Sequence, residues 1–185
     1  MAPQLSEDEI DDLIYCARAG EDAELMETVN ALAEREKVAP AVILMAGKDQ
    51  GQSTVLHMAT GNGHLETVRK VIQCFDGRPK EEKQAFLDEP NEHGNTGMHW
   101  AALGGHLDTV KLLMEHGASP ALANERDYVP LDMANQNEKT EVSQYFLSFL
   151  GKLESESTEE GLNNAATSIE IEEEQEEGAK PVASS

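Results

Sequence analysis

The sequence predicts an all-α solenoid: about four helix-turn-helix repeats in a row, short hairpin fingers between them, and a disordered acidic C-terminal tail. Three observations carry this. Thr54-Val55-Leu56-His57-Met58-Ala59, running into Gly63-His64-Leu65, recurs as Thr96-Gly97-Met98-His99-Trp100-Ala101, running into Gly105-His106-Leu107. In both copies three positions separate Thr from His, and seven separate the first His from the second. Val129-Pro130-Leu131-Asp132-Met133-Ala134 repeats the frame 33 positions after His99, with Asp132 in the histidine place. A period near 33 with this core marks stacked helix pairs. Finally, only 4% of residues are aromatic, which suits thin helix pairs packed through Ala, Leu, Val and Met.

A repeat domain is predicted over 1–150, its first unit at 6–36. Ser6-Glu7-Asp8-Glu9 reads as a capping box, Ser6 accepting from a free helical N–H while Glu9 reaches back to the cap amide. Ile10, Leu13, Ile14 and Ala17 then share one helix face, Gly20 ends the helix, and Leu25, Val29, Leu32 and Ala33 mark its partner. This unit lacks the Thr/His frame and is strongly acidic, as the outward-facing end of a solenoid must be polar. The second repeat, 49–75, has the stripe Leu65, Val68, Val71 and Ile72. Its spacing to the third exceeds 33 by nine, and the surplus is assigned to a loop at 76–88, because insertions in repeat arrays fall in connections. The third repeat, 91–123, carries Leu107, Val110, Leu113 and Met114, with Gly117 and Pro120 closing it. The fourth, 124–150, carries Val142, Tyr145, Phe146, Phe149 and Leu150. Residues 151–185 have too few large apolar groups to order, and are most acidic at Glu172-Glu173-Glu174-Gln175-Glu176-Glu177.

The formal net charge is −22. Residues 1–36 hold 11 acidic and two basic side chains, and residues 151–185 hold ten and two, so the charge is concentrated at the ends. That sign excludes a nucleic-acid surface and fits a basic partner. No run approaches the ~18 apolar residues of a membrane span. The acidic start is unlike a signal peptide, and Cys16 and Cys74 stand alone, so a reducing intracellular compartment is expected.

No chemistry of catalysis is predicted. There is no G-x-S-x-G elbow and no G-x-x-x-x-G-K phosphate loop, and neither cysteine has a histidine at a recognised spacing. Carboxylates crowd only the termini, where nothing would raise a pKa by burial. The histidine interval of seven does not match the i, i+4 spacing of a helical zinc site. The expectation is therefore no catalytic residue, no metal and no cofactor.

These motifs resemble the ankyrin-repeat family over 6–150, most strongly over 49–124. The resemblance implies that the motif Thr caps its helix, that the first His ties its turn to neighbouring backbone, and that partners bind through finger tips and inner helices. On this frame the tips offer Gln50 and Ser53; Glu92, His93 and Asn95; and Glu125, Arg126 and Tyr128, with Asp88 and Glu89 just before the second tip. The inner helices offer Met58 and Asn62; Trp100 and Leu103; and Met133, Gln136 and Asn137. Trp100, the only tryptophan, lies in register with Met58 and Met133, and such residues suit interface anchors. The acidic groups supply the sign for a basic ligand.

Within the family, the layout is similar to the small fungal ankyrin-repeat chaperones of small-subunit ribosomal protein three. The likeness rests on Ala17-Arg18-Ala19-Gly20 after an acidic start, Leu56-His57-Met58-Ala59, His99-Trp100-Ala101, and Glu141-Val142 with Tyr145-Phe146-Leu147 before an acidic tail. Gly97, where the family has Pro, departs from it. The resemblance implies an escort, monomeric or in a one-to-one heterodimer, that keeps a new basic ribosomal protein soluble from cytoplasm to nucleus. The alternative is a generic ankyrin regulator or inhibitor of a transcription factor or kinase.

Overall fold

The structure, a computed structural model, describes residues 2–152. The tail expected from 151 lies almost entirely outside the described residues. The chain divides into two units, Met1–Tyr145 and Phe146–Ser185, and of the second only 146–152 is described, as helix. Among the described residues the first unit holds nine complete helices and the opening of a last one at 140–145.

Helix α1, Glu7–Ala19, starts at the capping box: the Glu9 N–H donates to Ser6 Oγ at 3.3 Å and the Ser6 N–H to the Glu9 carboxylate at 2.9 Å. It stops at Gly20, whose φ of 76° needs a residue without Cβ strain. Helix α2, Asp22–Glu36, packs back on α1. Leu13, Ile14 and Ala17 meet Leu25, Val29, Leu32 and Ala33 as buried faces, while Ile10, one turn in, is only half-buried. Arg35 of α2 grips Glu9 and holds its carboxyl down to about 2, so the cap stays charged.

Helices α4 (Val55–Gly61) and α5 (Leu65–Gln73) form the next pair, α7 (Gly97–Gly104) and α8 (Leu107–Glu115) the one after, and α9 (Pro130–Gln136) opens the last. First helices pack in one row, α1 on α4 on α7 on α9, and second helices in another, α2 on α5 on α8. Each pair is too thin to bury its own apolar stripes, so the stack is the core.

Two helices were not anticipated. Helix α3, Pro40–Ala46, buries Ala41, Ile43 and Leu44 against α2, with Pro40 in the first turn, where its missing N–H costs nothing. Helix α6, Lys80–Leu87, replaces the expected loop and buries Phe86 and Leu87. Phe86 stacks on Phe75 at 4.7 Å between ring centroids, so the nine-residue surplus brings its own hydrophobic anchor.

The predicted stripes also shift in detail. Val110 and Leu113 are fully buried with Leu112, but Leu107 and Leu65, each the first residue of its helix, are half-buried. A first-turn side chain has no preceding turn to pack beneath it. Leu150, expected on the buried face of 140–152, is 44% exposed.

Candidate partner-binding surface

Each finger is built on one short polar side chain. Asp49 accepts from the Ser53 N–H at 2.8 Å; Asn91 accepts from the His93 and Asn95 N–H groups at 3.0 and 3.1 Å; Asn124 accepts from those of Arg126 and Tyr128 at 2.9 and 3.1 Å. Asn91 and Asn124 thereby close Asx turns, in which the side chain mimics a backbone acceptor, whereas Asp49 reaches only the fourth residue on. The tight turns place Gln52, Gly94 and Asp127 at φ of 60°, 75° and 60°.

The fingers are chained together. The Glu92 N–H donates to the Gly51 carbonyl at 2.9 Å, and the Glu125 N–H to that of His93 at 3.1 Å. The motif histidines reinforce this. His57 Nδ1 accepts from the Thr54 N–H at 3.0 Å while its Nε2–H donates to the Asn95 carbonyl at 2.9 Å. His99 does the same between Thr96 (3.1 Å) and Tyr128 (2.9 Å). Both rings are therefore neutral, and burial pushes both below the ordinary histidine value.

The second histidines point the other way. His64 Nε2–H donates to the Arg18 carbonyl at 2.8 Å, and His106 Nε2–H to that of Gly61 at 3.0 Å. Their rings sit on Gly20 and Gly63, where a Cβ would come within 2.6 and 2.5 Å of ring nitrogen. All four rings thus bind adjacent repeats. One further cluster joins Cys16, Glu21 and Glu24, whose ligand atoms lie within 4.8 Å of one another. Burial, then Glu24 and Glu21, push the Cys16 thiol up, so it stays protonated at neutral pH.

The structure divides the residues named from sequence into two groups. His93, Asn95, Glu125, Arg126, Tyr128, Met133 and Gln136 come together, with Asn124 and Asn137, around a depression of about 230 Å³ between the second and third tips and α9. Tyr128 and Met133 give it apolar surface, and the side-chain amides give donors and acceptors suited to peptide. Asn124 was not singled out as a site residue; its recurrence with Asp49 and Asn91 at the base of each finger was the available signal.

The remaining residues lie elsewhere. Gln50 and Glu92 are exposed at their tips, and Ser53 is buried within its turn. Asp88 and Glu89 are engaged internally, Asp88 accepting from the Ser119 N–H at 2.8 Å and Glu89 paired with Lys48. Met58 Sδ accepts from Arg18 at 3.5 Å, and Asn62 donates to the Met58 carbonyl at 2.8 Å. Trp100 is half-buried across the α4–α7 seam, over Gly61, where a Cβ would lie 3.5 Å from its ring; Leu103 is half-buried on the same helix. The Trp100 indole nitrogen is buried without a hydrogen-bond partner among the described residues.

Stacked helix pairs, histidine-clamped fingers and a tip-side depression define a repeat-protein binding module. The family model for ankyrin repeats in three copies matches residues 13–124 and 80–156, and the chain belongs to the ankyrin-repeat family. It is 33% identical to Saccharomyces cerevisiae ankyrin repeat-containing protein YAR1 over 145 residues, which is 77% of this chain and 70% of that protein. A Schizosaccharomyces pombe ankyrin repeat-containing protein is 35% identical over 141 residues, covering 76% of this chain and 86% of its own. Among solved structures, the crystal structure of yeast ribosomal protein Rps3 in complex with its chaperone Yar1 matches with a TM-score of 0.70 at 36% identity, over 78% of this chain and 95% of that chain.

Proposed function

We propose that this protein is a dedicated escort of small-subunit ribosomal protein Rps3, binding the newly made protein one-to-one and keeping it soluble until it joins the pre-ribosome. The observation that carries the reading is the likeness to Yar1, which extends over 95% of the matched chain and is not confined to one repeat. The physics is consistent with it. An unassembled ribosomal protein exposes cationic surface meant for RNA, and such surface aggregates with any polyanion. A partner of net charge −22 neutralises that field at long range. The tip-side depression and the inner row then supply short-range fit, and the protein acts by binding, not by catalysis. The escort works in the cytoplasm and travels with its client into the nucleus.

Purified Rps3 tests this directly. At low ionic strength it should form a one-to-one complex with this protein and stay in solution with added RNA at concentrations where Rps3 alone precipitates. Failure to bind, with a regulatory factor co-purifying from cells instead, would replace the escort by a generic ankyrin regulator.

A further inference from the structure

The first repeat has no finger and no Thr/His frame, so its register with the others is set by the left-handed residue that ends each inner helix. Those residues are Gly20, Gly63, Gly105 and Glu138, with φ of 76°, 74°, 78° and 57°. Five positions before them stand Tyr15, Met58, Trp100 and Met133. The four helices that carry them, α1, α4, α7 and α9, are the ones that pack successively in the first row. Tyr15 is thus the first member of the row that holds the two methionines and the tryptophan. It differs from the other three in being 61% exposed, while they are half-buried.

The surroundings of Tyr15 are as distinctive. Glu7, Asp8, Asp11 and Asp12 are exposed on α1 at positions that share a helical face with Tyr15, and none forms an ion pair among the described residues. Glu9, by contrast, is spent on Arg35. Arg18, the one cation on α1, leans onto Met58. Glu7 and Asp8 hold the register of the Gln50 and Gly51 tip in the next repeat, so an extra helical turn of carboxylates stands where a finger would be.

We infer that Tyr15 with Asp8, Asp11 and Asp12 forms the first station of the partner-binding row, and that it takes a lysine- or arginine-bearing segment of the client. The inference rests on the escort reading and extends it to the repeat that looks like a mere cap. An exposed aromatic face bordered by unpaired carboxylates suits a long cationic side chain: the stem lies on the ring, and the charged head reaches the carboxylates. A phenol at 61% exposure contributes little to the fold, and its size is otherwise unexplained at an end meant to be polar.

The test uses the full chain and purified Rps3, with Tyr15→Ala, an Asp11→Asn/Asp12→Asn double variant and Trp100→Ala compared by titration calorimetry at two salt concentrations. Tyr15→Ala should weaken binding tenfold or more while leaving the melting temperature within a degree of wild type. The double variant, which keeps Tyr15, should weaken binding several-fold at low salt and lessen its salt dependence. If both bind within twofold of wild type while the wild type itself binds tightly, the station does not exist and the escort reading stands alone. If wild type does not bind Rps3, both fall together.

Discussion

The Nε2–H of His99 donates to the carbonyl of Tyr128, 29 residues further on, at 2.9 Å. Its other nitrogen takes the Thr96 N–H, so one neutral ring fixes the start of its own helix and the end of the next finger. His57 repeats the arrangement with Asn95. The tip-side depression stands on these two rings.

That arrangement makes stability pH-dependent. Burial lowers both histidines in the folded state, so the unfolded chain binds protons that the native chain refuses. Stability is therefore full above the unfolded value of about 6.5 and is lost as pH falls through the lowered native values. Urea midpoints should drop between pH 7.5 and 5.5, before most carboxylates titrate. A His57→Gln/His99→Gln variant should be less stable at pH 7.5 but flatter across that range; an unchanged slope would show that the rings are not responsible.

Leu113 is fully buried between the helix rows. Leu113→Ala should cost about 2–5 kcal/mol through lost burial and the cavity left behind. Leu107→Ala, half-buried at the start of α8, should cost clearly less. Denaturant unfolding ranks the two, and the reverse order would contradict the packing.

Gly94 has φ of 75°, and a Cβ there would lie 2.9 Å from the Glu125 backbone nitrogen. Because the obstacle is backbone, no rotamer change relieves it. Gly94→Ala should cost about 1–3 kcal/mol and loosen the second and third tips together, seen as faster amide exchange at Glu125. Gly77, with the same sign of φ but open space around it, serves as the control and should exchange as before.

At the tip-side depression, Tyr128→Ala should weaken Rps3 binding by about 2 kcal/mol, as loss of an aromatic anchor does. Trp100 separates binding from packing. Trp100→Phe retains most of the ring over Gly61 and removes an indole N–H that has no partner among the described residues, so stability should hold while any contact that N–H makes to a client is lost. Calorimetry of both variants beside thermal melts distinguishes a binding residue from a seam filler.

Removing residues 154–185 should leave the melting temperature nearly unchanged. Leu162, Ile169, Ile171 and Val182 are the only large aliphatic side chains there, too few to offset ordering entropy. A fall of several degrees would mean that the segment docks on the repeats.

The repeated fold was readable because Thr54, His57, Thr96 and His99 serve backbone geometry that recurs, so the same residues recur at the same spacing. The helix Pro40–Ala46 escaped because an almost wholly apolar run has no period; Pro40 in its first turn was the only sign. The helix Lys80–Leu87 escaped because four charged residues open it, and its anchor, Phe86 on Phe75, is a contact across the chain. The same limit applies to the site. Spacing placed Tyr128, Met133 and His93 on the tips and an inner helix, and they line one depression, but it could not show that Asp88 and Glu89 bind Ser119 and Lys48.

Asp132 occupies the register of His57 and His99. Its carboxylate accepts from the Val129 N–H at 3.0 Å, repeating the inward half of the histidine's task. It has no N–H with which to hold a further finger. The position thus separates the last frame from the two before it: His57 and His99 each also hold the finger that follows, and Asp132 holds only its own turn. Restoring the donor with Asp132→His would supply the N–H that His57 and His99 give to the finger after them, so that another repeat of matching register could be grafted behind α9 with its finger held in the same way.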